Sequence, residues 1–181
     1  MTRRHFLHTL AAAPMLAADV PRKTPFRVLY SNDLTNITSC VSPFHAAREP
    51  FRQEMLDASV DEVEGLVEAH FLQPGLGAVP LWPSKVFDLK EHFAWIKQRY
   101  GQKPDSFSQF VLNGGDIVQR FIDRCREKKQ AAFISLRMND AHHVEHLNER
   151  GNMIGLHSIS RFYAEHPQWW LGKEPKSMFN W

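Results

Sequence analysis

The sequence lacks the features that most directly assign a chain to a class of proteins. Among its 181 residues there are only two cysteines, Cys40 and Cys125, which is too few for a disulfide framework. No apolar run reaches the roughly 18 residues that a membrane-spanning helix requires. Lysine and arginine together number 22, against 20 acidic residues, so the formal net charge of +2 gives no sign of nucleic-acid binding.

Two motifs of well-known chemistry are also absent. There is no G-x-S-x-G motif, so a Ser-His-Asp triad cannot be assigned. Gly75 and Gly77 lack the third glycine and the following helix of a dinucleotide-binding loop. The chain has an ordinary globular composition, 43% hydrophobic and 23% charged, together with ten histidines and five tryptophans. The histidines and tryptophans indicate a polar, aromatic-lined site, but they do not identify its ligand.

Residues 1–18 have the composition of an export signal. Arg3 and Arg4 precede an uncharged, alanine-rich stretch that is too short to act as a membrane anchor. The run Thr2–Leu7 resembles the twin-arginine signal of bacteria, which predicts export by the twin-arginine machinery to the periplasm or the cell exterior. A Sec signal with two arginines is the alternative, and it leads to the same compartment. In residues 19–181, 20 basic and 20 acidic side chains cancel.

The route of export bears on the two thiols. Substrates of twin-arginine export fold in the reducing cytoplasm, so we expect Cys40 and Cys125 to be free and buried. A disulfide formed after export is the alternative.

Residues 19–181 alternate short apolar runs with amphipathic segments. Strands are predicted at Phe26–Tyr30, Val67–Leu72 and Ala131–Leu136, each followed by a polar tip. The third run is apolar throughout, which is typical of a parallel strand buried on both faces. Residues 34–48 are predicted to be a long loop.

Helices are expected between these strands. Pro50 can open one helix, and the spacing of Ser59 and Glu62 fits a capping box that starts another, with Gly65 ending it. Residues 74–110 are predicted to be an ordered insertion with one helix near Leu89–Tyr100. Asp116 is placed to cap an amphipathic helix over residues 117–128.

Alternation of strands and helices predicts an α/β fold with right-handed β-α-β units and parallel strands. Because no dinucleotide loop is present, a (β/α) barrel is the preferred architecture. The polar tips then lie at the carboxyl ends of the strands, where α/β folds build their sites.

Several sequence blocks resemble one family. The most specific of them is Ser135–His143, which reads SLRMNDAHH. Together the blocks resemble bacterial glycoside-hydrolase-like proteins of the family-10 type, which are (β/α)8 TIM barrels and often carry export signals. They are Ser31–Asp33, Thr38–Cys40, Glu49–Asp61, His70–Gly75, Gly114–Asp116 and Ser135–His143.

The resemblance implies only part of such a protein. A complete barrel needs about 250 residues and eight strands, whereas residues 19–181 supply about the first three β/α units. We therefore expect an amino-terminal fragment that would expose an open apolar sheet edge. In the family the acid/base and nucleophile are carboxylates on later strands, so the catalytic residues remain unknown here.

What the resemblance does imply is a polar wall that faces carbohydrate. Amide, carboxylate and imidazole groups suit sugar hydroxyls, and indoles such as Trp82, Trp169 and Trp170 suit sugar ring faces. The predicted substrate-binding residues are Asn32, Asp33, Arg137, Asn139, Asp140, His142 and His143.

Structural interpretations of the same residues stay open. Asn32 and Asp33 would then only cap turns, and Arg137 would pair with Asp140. Trp95 is expected to be packed on a helix, whereas Trp169 and Trp170 fit either the core or the site.

Two alternative functions follow from other features. His142, Glu145 and His146 match the H-x-x-E-H pattern of inverzincin peptidases, in which two histidines bind zinc and the glutamate polarises water. The alternative cofactor is therefore zinc, with Glu149 or Glu165 as a further ligand. The other alternative is a carbohydrate-binding protein without catalysis.

Overall fold

The computed structural model describes residues 26–38, 50–76, 79–137, 143, 147 and 158–169. The predicted export signal, residues 1–18, and Cys40 lie outside these residues. No helix within the described ranges is both long enough and apolar enough to cross a membrane.

The described residues contain five strands, of which three form a parallel sheet. The central strand of this sheet pairs with the first and with the last strand along the chain. The two remaining strands form a short antiparallel hairpin directly after the central strand. The strands are β1 (Leu29–Asp33), β2 (Ala69–Gln73), β3 (Gly75–Leu76), β4 (Val79–Pro80) and β5 (Ala131–Ile134), and the sheet order is β1-β2-β5.

Helices connect the strands and cover one face of the sheet. They are α1 (Leu34–Thr38), α2 (Gln53–Asp61), α3 (Leu89–Tyr100), α4 (Ser106–Leu112), α5 (Ile117–Glu127) and α6 (Arg161–Glu165), with a 3-10 turn at Pro167–Trp169. The chain is thus a mixed α/β protein with a parallel three-stranded sheet, as expected.

Aspartate side chains begin three of the helices. Asp88 Oδ1 accepts hydrogen bonds from the amides of Lys90 and Glu91 at the start of α3. Asp105 and Asp116 accept a backbone N–H hydrogen bond in the same way at the starts of α4 and α5. The oxygen–nitrogen distances are 2.7 and 2.9 Å. A capping oxygen satisfies an amide that has no partner inside the helix, and this fixes where each helix begins.

The main core lies between the sheet and helices α2 and α5. Leu56 and Val60 of α2, Leu72 of β2 and Phe121 of α5 are fully buried in it. Cys125 of α5 is a buried free thiol in the same cluster, so the expectation of a free thiol is confirmed for this residue.

Paired charges align α2 with α5 along their shared surface. Arg120 forms two contacts with Asp57, each 2.6 Å long, and Arg124 forms the same fork with Asp61 one turn further along both helices. Planar two-pronged contacts between guanidinium and carboxylate fix geometry as well as charge. They therefore set the register of the two helices against each other.

A second apolar cluster forms on α3. Trp95, Ile96 and Tyr100 pack against Leu147 and Ile159. Trp95 is 9% exposed, so the expected packing of this tryptophan on a helix is confirmed. Arg161 of α6 pairs with Glu91 of α3 at 3.0 Å and ties α6 to the same helix.

The two faces of the sheet are different. His70 contacts Phe121, so Tyr30, His70 and Leu72 face the helices. On the opposite face the Phe71 and Phe133 rings stack at 4.8 Å, and the Phe26 ring meets Phe133 edge-on. We call these three rings the aromatic floor. Phe133 is 39% exposed, so this face is partly open to solvent.

Some predicted boundaries differ from the structure. The first strand begins at Leu29 rather than Phe26, so Ser31–Asp33 are part of it, and residues 34–38 form α1 instead of loop. The capping box is wrong because Ser59 lies inside α2 and its Oγ donates to the Leu56 carbonyl at 2.7 Å. The insertion contains α4 as well as α3.

The third predicted strand is correctly placed, but it is less buried than the sequence predicted. β5 lies at an edge of the described sheet, and Phe133 and Ile134 are 39% and 38% exposed. Successive residues of a strand point to opposite faces, so the exposure of both side chains shows that the predicted burial on both faces is wrong.

Candidate functional site

The carboxyl ends of the three parallel strands meet at one edge of the sheet. Asp33 ends β1 and stands in register with Gln73, which ends β2. Arg137 follows three residues after β5, and its Nη2 lies 2.5 Å from Oδ2 of Asp33. The contact spans the central strand, which ends at Gln73. We call Asp33, Gln73 and Arg137 the rim.

The rim is accessible in part. The side chains of Asp33 and Arg137 are 21% and 43% exposed, whereas Gln73 is buried. Gln73 also donates to the Gly75 carbonyl at 3.4 Å, which restrains its amide. Successive residues of a strand alternate between its faces, so Asp33 and Gln73 lie on the same face as the aromatic floor. A polar rim thus borders a partly open aromatic surface.

The predicted wall is brought together only in part. Asp33 and Arg137 meet at the carboxyl ends of β1 and β5, on either side of β2. Asn32 lies on the helix-covered face, is 4% exposed, and its Oδ1 has no hydrogen-bond partner in the described protein. The reason is the strand boundary, since Asn32 lies within β1, where it must face away from Asp33.

The other predicted site residues are mostly outside the described part. His143 is described and has a positive φ of 65°, in the left-handed region. Asn139, Asp140 and His142 of the predicted wall lie outside the described residues, as do Glu145 and His146 of the alternative zinc site. Among the residues that are described, no group of three or more His, Cys, Asp or Glu side chains is placed to hold a metal ion.

A cleft lies beside the sheet, formed by the segment that follows β4 and by the start of α3. Its volume is about 630 Å³, and its lining includes Trp82, Lys85, Phe87, Asp88, Lys90 and Glu91. The sequence analysis identified Trp82 as a residue that could stack on a sugar ring. It did not connect Trp82 with the lysines that follow. We call this the Trp82 cleft.

Trp169 lies in a group of exposed rings. The His166 ring stacks on Phe162 and Trp169, with centroids 4.4 and 4.5 Å apart. Phe162 and Trp169 are 59% and 62% exposed, so Trp169 is outside the core. Trp170 lies outside the described residues.

Two buried reactive side chains lie away from the rim. Burial lowers the pKa of His70, against a smaller raising effect from Gln130, and neither ring nitrogen has a hydrogen-bond partner in the described protein. Burial raises the pKa of the Cys125 thiol to about 11. A neutral, enclosed imidazole and a protonated thiol suit packing rather than catalysis.

Comparisons with known proteins give no family for this chain. No protein-family model matches it, and no curated protein matches it significantly.

Proposed function

We propose that this chain binds carbohydrate at the rim and the aromatic floor, as the substrate-facing part of an exported glycoside-hydrolase-like protein. The observation that carries the proposal is the contact between Asp33 and Arg137 across β2, next to exposed aromatic rings. In this proposal the three parallel strands are the first β/α units of a (β/α)8 barrel, and the rim lies where such barrels bind substrate.

The chemistry of this surface suits a sugar. Sugar hydroxyls both donate and accept hydrogen bonds, and the exposed part of the rim offers guanidinium donors and a carboxylate acceptor. Sugar rings also have apolar C–H faces, which aromatic rings cover favourably. Phe133 supplies such a surface on the same face of the sheet as Asp33.

The geometry supports binding more directly than hydrolysis. Hydrolysis of a glycosidic bond uses two carboxyl groups held about 5–9.5 Å apart, depending on the stereochemistry. Asp33 is a single carboxylate, and Arg137 occupies one of its oxygens. The hydrolase activity implied by the resemblance therefore rests on residues other than the described rim.

Calorimetric titration of the full chain with neutral hexasaccharides tests the proposal. We use β-1,4-linked glucose, β-1,4-linked xylose and α-1,4-linked glucose. Arg137→Gln and Asp33→Asn are expected to weaken binding of whichever sugar binds by about tenfold. Arg126→Gln is the control, because Arg126 is exposed in the last turn of α5, at the opposite end of the sheet.

Two outcomes contradict the proposal. One is the absence of binding to all three sugars, and the other is binding that both rim variants leave at the wild-type affinity. Asp140→Ala extends the same test to a predicted wall residue outside the described part.

A further inference from the structure

We infer that Phe162, His166 and Trp169 form a second carbohydrate-binding surface, which stacks on the flat faces of neutral sugar rings and does not need the rim. We call these three side chains the aromatic platform. The inference is carried by the arrangement of the rings, which leaves one broad aromatic face open to solvent. It goes beyond the proposed function, because it assigns a separate site.

The rings of Phe162 and Trp169 lie side by side over one face of the His166 imidazole. Both stack on the imidazole, at centroid distances of 4.4 and 4.5 Å and interplanar angles of 24° and 13°. Their own centroids are 5.2 Å apart. Stacked planes lie about 3.5 Å apart, so rings on opposite faces of the imidazole would have centroids at least about 7 Å apart. The two rings therefore share one face of His166 and form a surface two rings wide.

The outer side of this surface is open. Phe162 is 59% exposed and Trp169 is 62% exposed, although His166 covers one face of each ring. The exposed area therefore belongs largely to the faces that point away from the imidazole. Exposed apolar side chains that lie singly need no explanation, whereas adjoining ones mark a contact surface.

The platform is held in place before any ligand binds. Nδ1 of His166 donates a hydrogen bond to the Phe162 carbonyl at 2.7 Å, which restrains the imidazole behind the two rings. Tyr163 and Ala164, the next two residues of α6, pack against the second apolar cluster on α3. A surface that is already ordered loses less conformational entropy on binding.

The charges beside the platform favour a neutral ligand. Nucleic-acid bases also stack on aromatic rings, but such sites add positive charge for the phosphates. Arg161, at the start of α6, contacts Glu91 at 3.0 Å and Glu165 at 2.9 Å, so its charge is balanced. A sugar ring has a flat C–H face for the platform and hydroxyls for the exposed amide of Gln168, next to Trp169 in the chain.

The indole of Trp169 can report binding directly. The full chain, labelled with nitrogen-15, is titrated with the three neutral hexasaccharides named above, up to about 10 mM. The indole N–H resonances of the five tryptophans are recorded, and the Trp169 resonance is identified by its absence in Trp169→Phe. We expect this resonance to shift and to saturate with at least one of the sugars.

Variants of Phe162 locate the effect while the reporter stays in place. Phe162→Ala should weaken the affinity that Trp169 reports by about fivefold, whereas Phe162→Tyr keeps a ring and should stay within about twofold of wild type. Leu66→Ala is the matched control, because Leu66 is a large apolar side chain that is 69% exposed elsewhere. Phe162 is exposed, so thermal unfolding should show that its variants remain folded.

The outcomes separate the platform from the rim. A Trp169 resonance that none of the three sugars shifts overturns the inference, as does an unchanged affinity in Phe162→Ala. A shift that appears when the sugar-free protein is concentrated would mean that the platform joins two copies, and the inference would also be wrong. Asp33→Asn and Arg137→Gln should leave the shift of Trp169 unchanged, and its loss in these variants would contradict a separate site. If only Phe162→Ala weakens sugar binding, the platform stands and the proposed role of the rim fails.

Discussion

The guanidinium of Arg137 lies across β2 and contacts the carboxylate of Asp33, although the two residues are 104 positions apart in the chain. The contact joins the ends of the two outer strands at the edge where we place ligand binding. Because both side chains remain partly exposed, water and salt compete for the same charges.

The first prediction is that this pair contributes little to stability. Asp33→Asn, Arg137→Gln and the double variant should each change the free energy of unfolding by less than about 1 kcal/mol, as is usual for exposed ion pairs. Urea denaturation of the four proteins gives the coupling energy of the pair. A coupling well above 1 kcal/mol would show that the pair holds the sheet together, and a loss of sugar affinity in these variants would then reflect misfolding.

The second prediction concerns the charges between α2 and α5. The Arg124 guanidinium holds the pKa of Asp61 below its usual value, chiefly through their hydrogen bonds. A carboxyl with a lowered pKa in the folded state stabilises the protein above its unfolded pKa, near 3.9, and loses that contribution as the pH falls through the folded value.

Asp61→Asn should therefore cost roughly 0.5–1 kcal/mol at pH 7, and the difference from wild type should shrink as the pH falls below about 3.9, the unfolded value. Thermal unfolding followed by circular dichroism over this pH range measures it. Asp123→Asn is the control, because Asp123 pairs with Arg126 within α5 and does not contact α2. A difference that persists unchanged at pH 2.5 would contradict the assigned cause.

The parts of the fold that the sequence predicted depend on local signals. Helix α5 begins where expected because the Asp116 side chain itself caps it, and Ile117, Phe121 and Cys125 recur at helical spacing on its buried face. Helix α3 also lies where it was predicted, within the expected ordered insertion, and the Asp88 side chain caps it.

The predictions that were wrong concern features that depend on packing between distant segments. Ser59 has the local signature of a helix start, but Met55, Leu56 and Val60 are buried on one face of a helix that runs through it. The first strand begins at Leu29 because its pairing with β2 begins there, opposite Ala69. Neither fact can be inferred from neighbouring residues alone.

The candidate site was also predicted correctly only in part. The rule that polar residues cluster at the carboxyl ends of parallel strands brought Asp33 and Arg137 together correctly. The strand boundary was placed three residues early, so the alternation that turns Asn32 away from Asp33 was missed.

The third prediction follows from His70. Its pKa in the folded protein is lowered by burial, so the unfolded chain binds the proton more tightly. Stability should be constant above about pH 7 and fall as the pH drops below the unfolded value, near 6.5, until the folded pKa is passed.

His70→Phe should remove this dependence, because a phenyl ring can take the place between Tyr30 and Phe121, whose centroids lie 4.8 and 5.0 Å from that of His70. The measurement is urea unfolding at pH 7.5 and pH 5. If wild type and variant lose the same stability between these two values, His70 is not the group that titrates.

The fourth prediction compares two glycines that are required for different reasons. A Cβ on Gly115 would lie 2.2 Å from Cε1 of Phe110, so Gly115→Ala should cost roughly 1–3 kcal/mol through steric overlap. Gly65 has a φ of +75° and nothing within 4 Å of a Cβ, so Gly65→Ala should cost only about 1 kcal/mol of backbone strain.

Relief by a second substitution distinguishes the two causes. Phe110→Leu shortens the obstructing side chain, so it should recover part of the loss in Gly115→Ala and none of the loss in Gly65→Ala. Urea unfolding of the single and double variants measures this, with Phe110→Leu alone as the reference because Phe110 also packs against Phe51. Additive losses in the Gly115 pair would mean that the ring already moves aside, and the cost would then have to come from the backbone of the turn before Asp116.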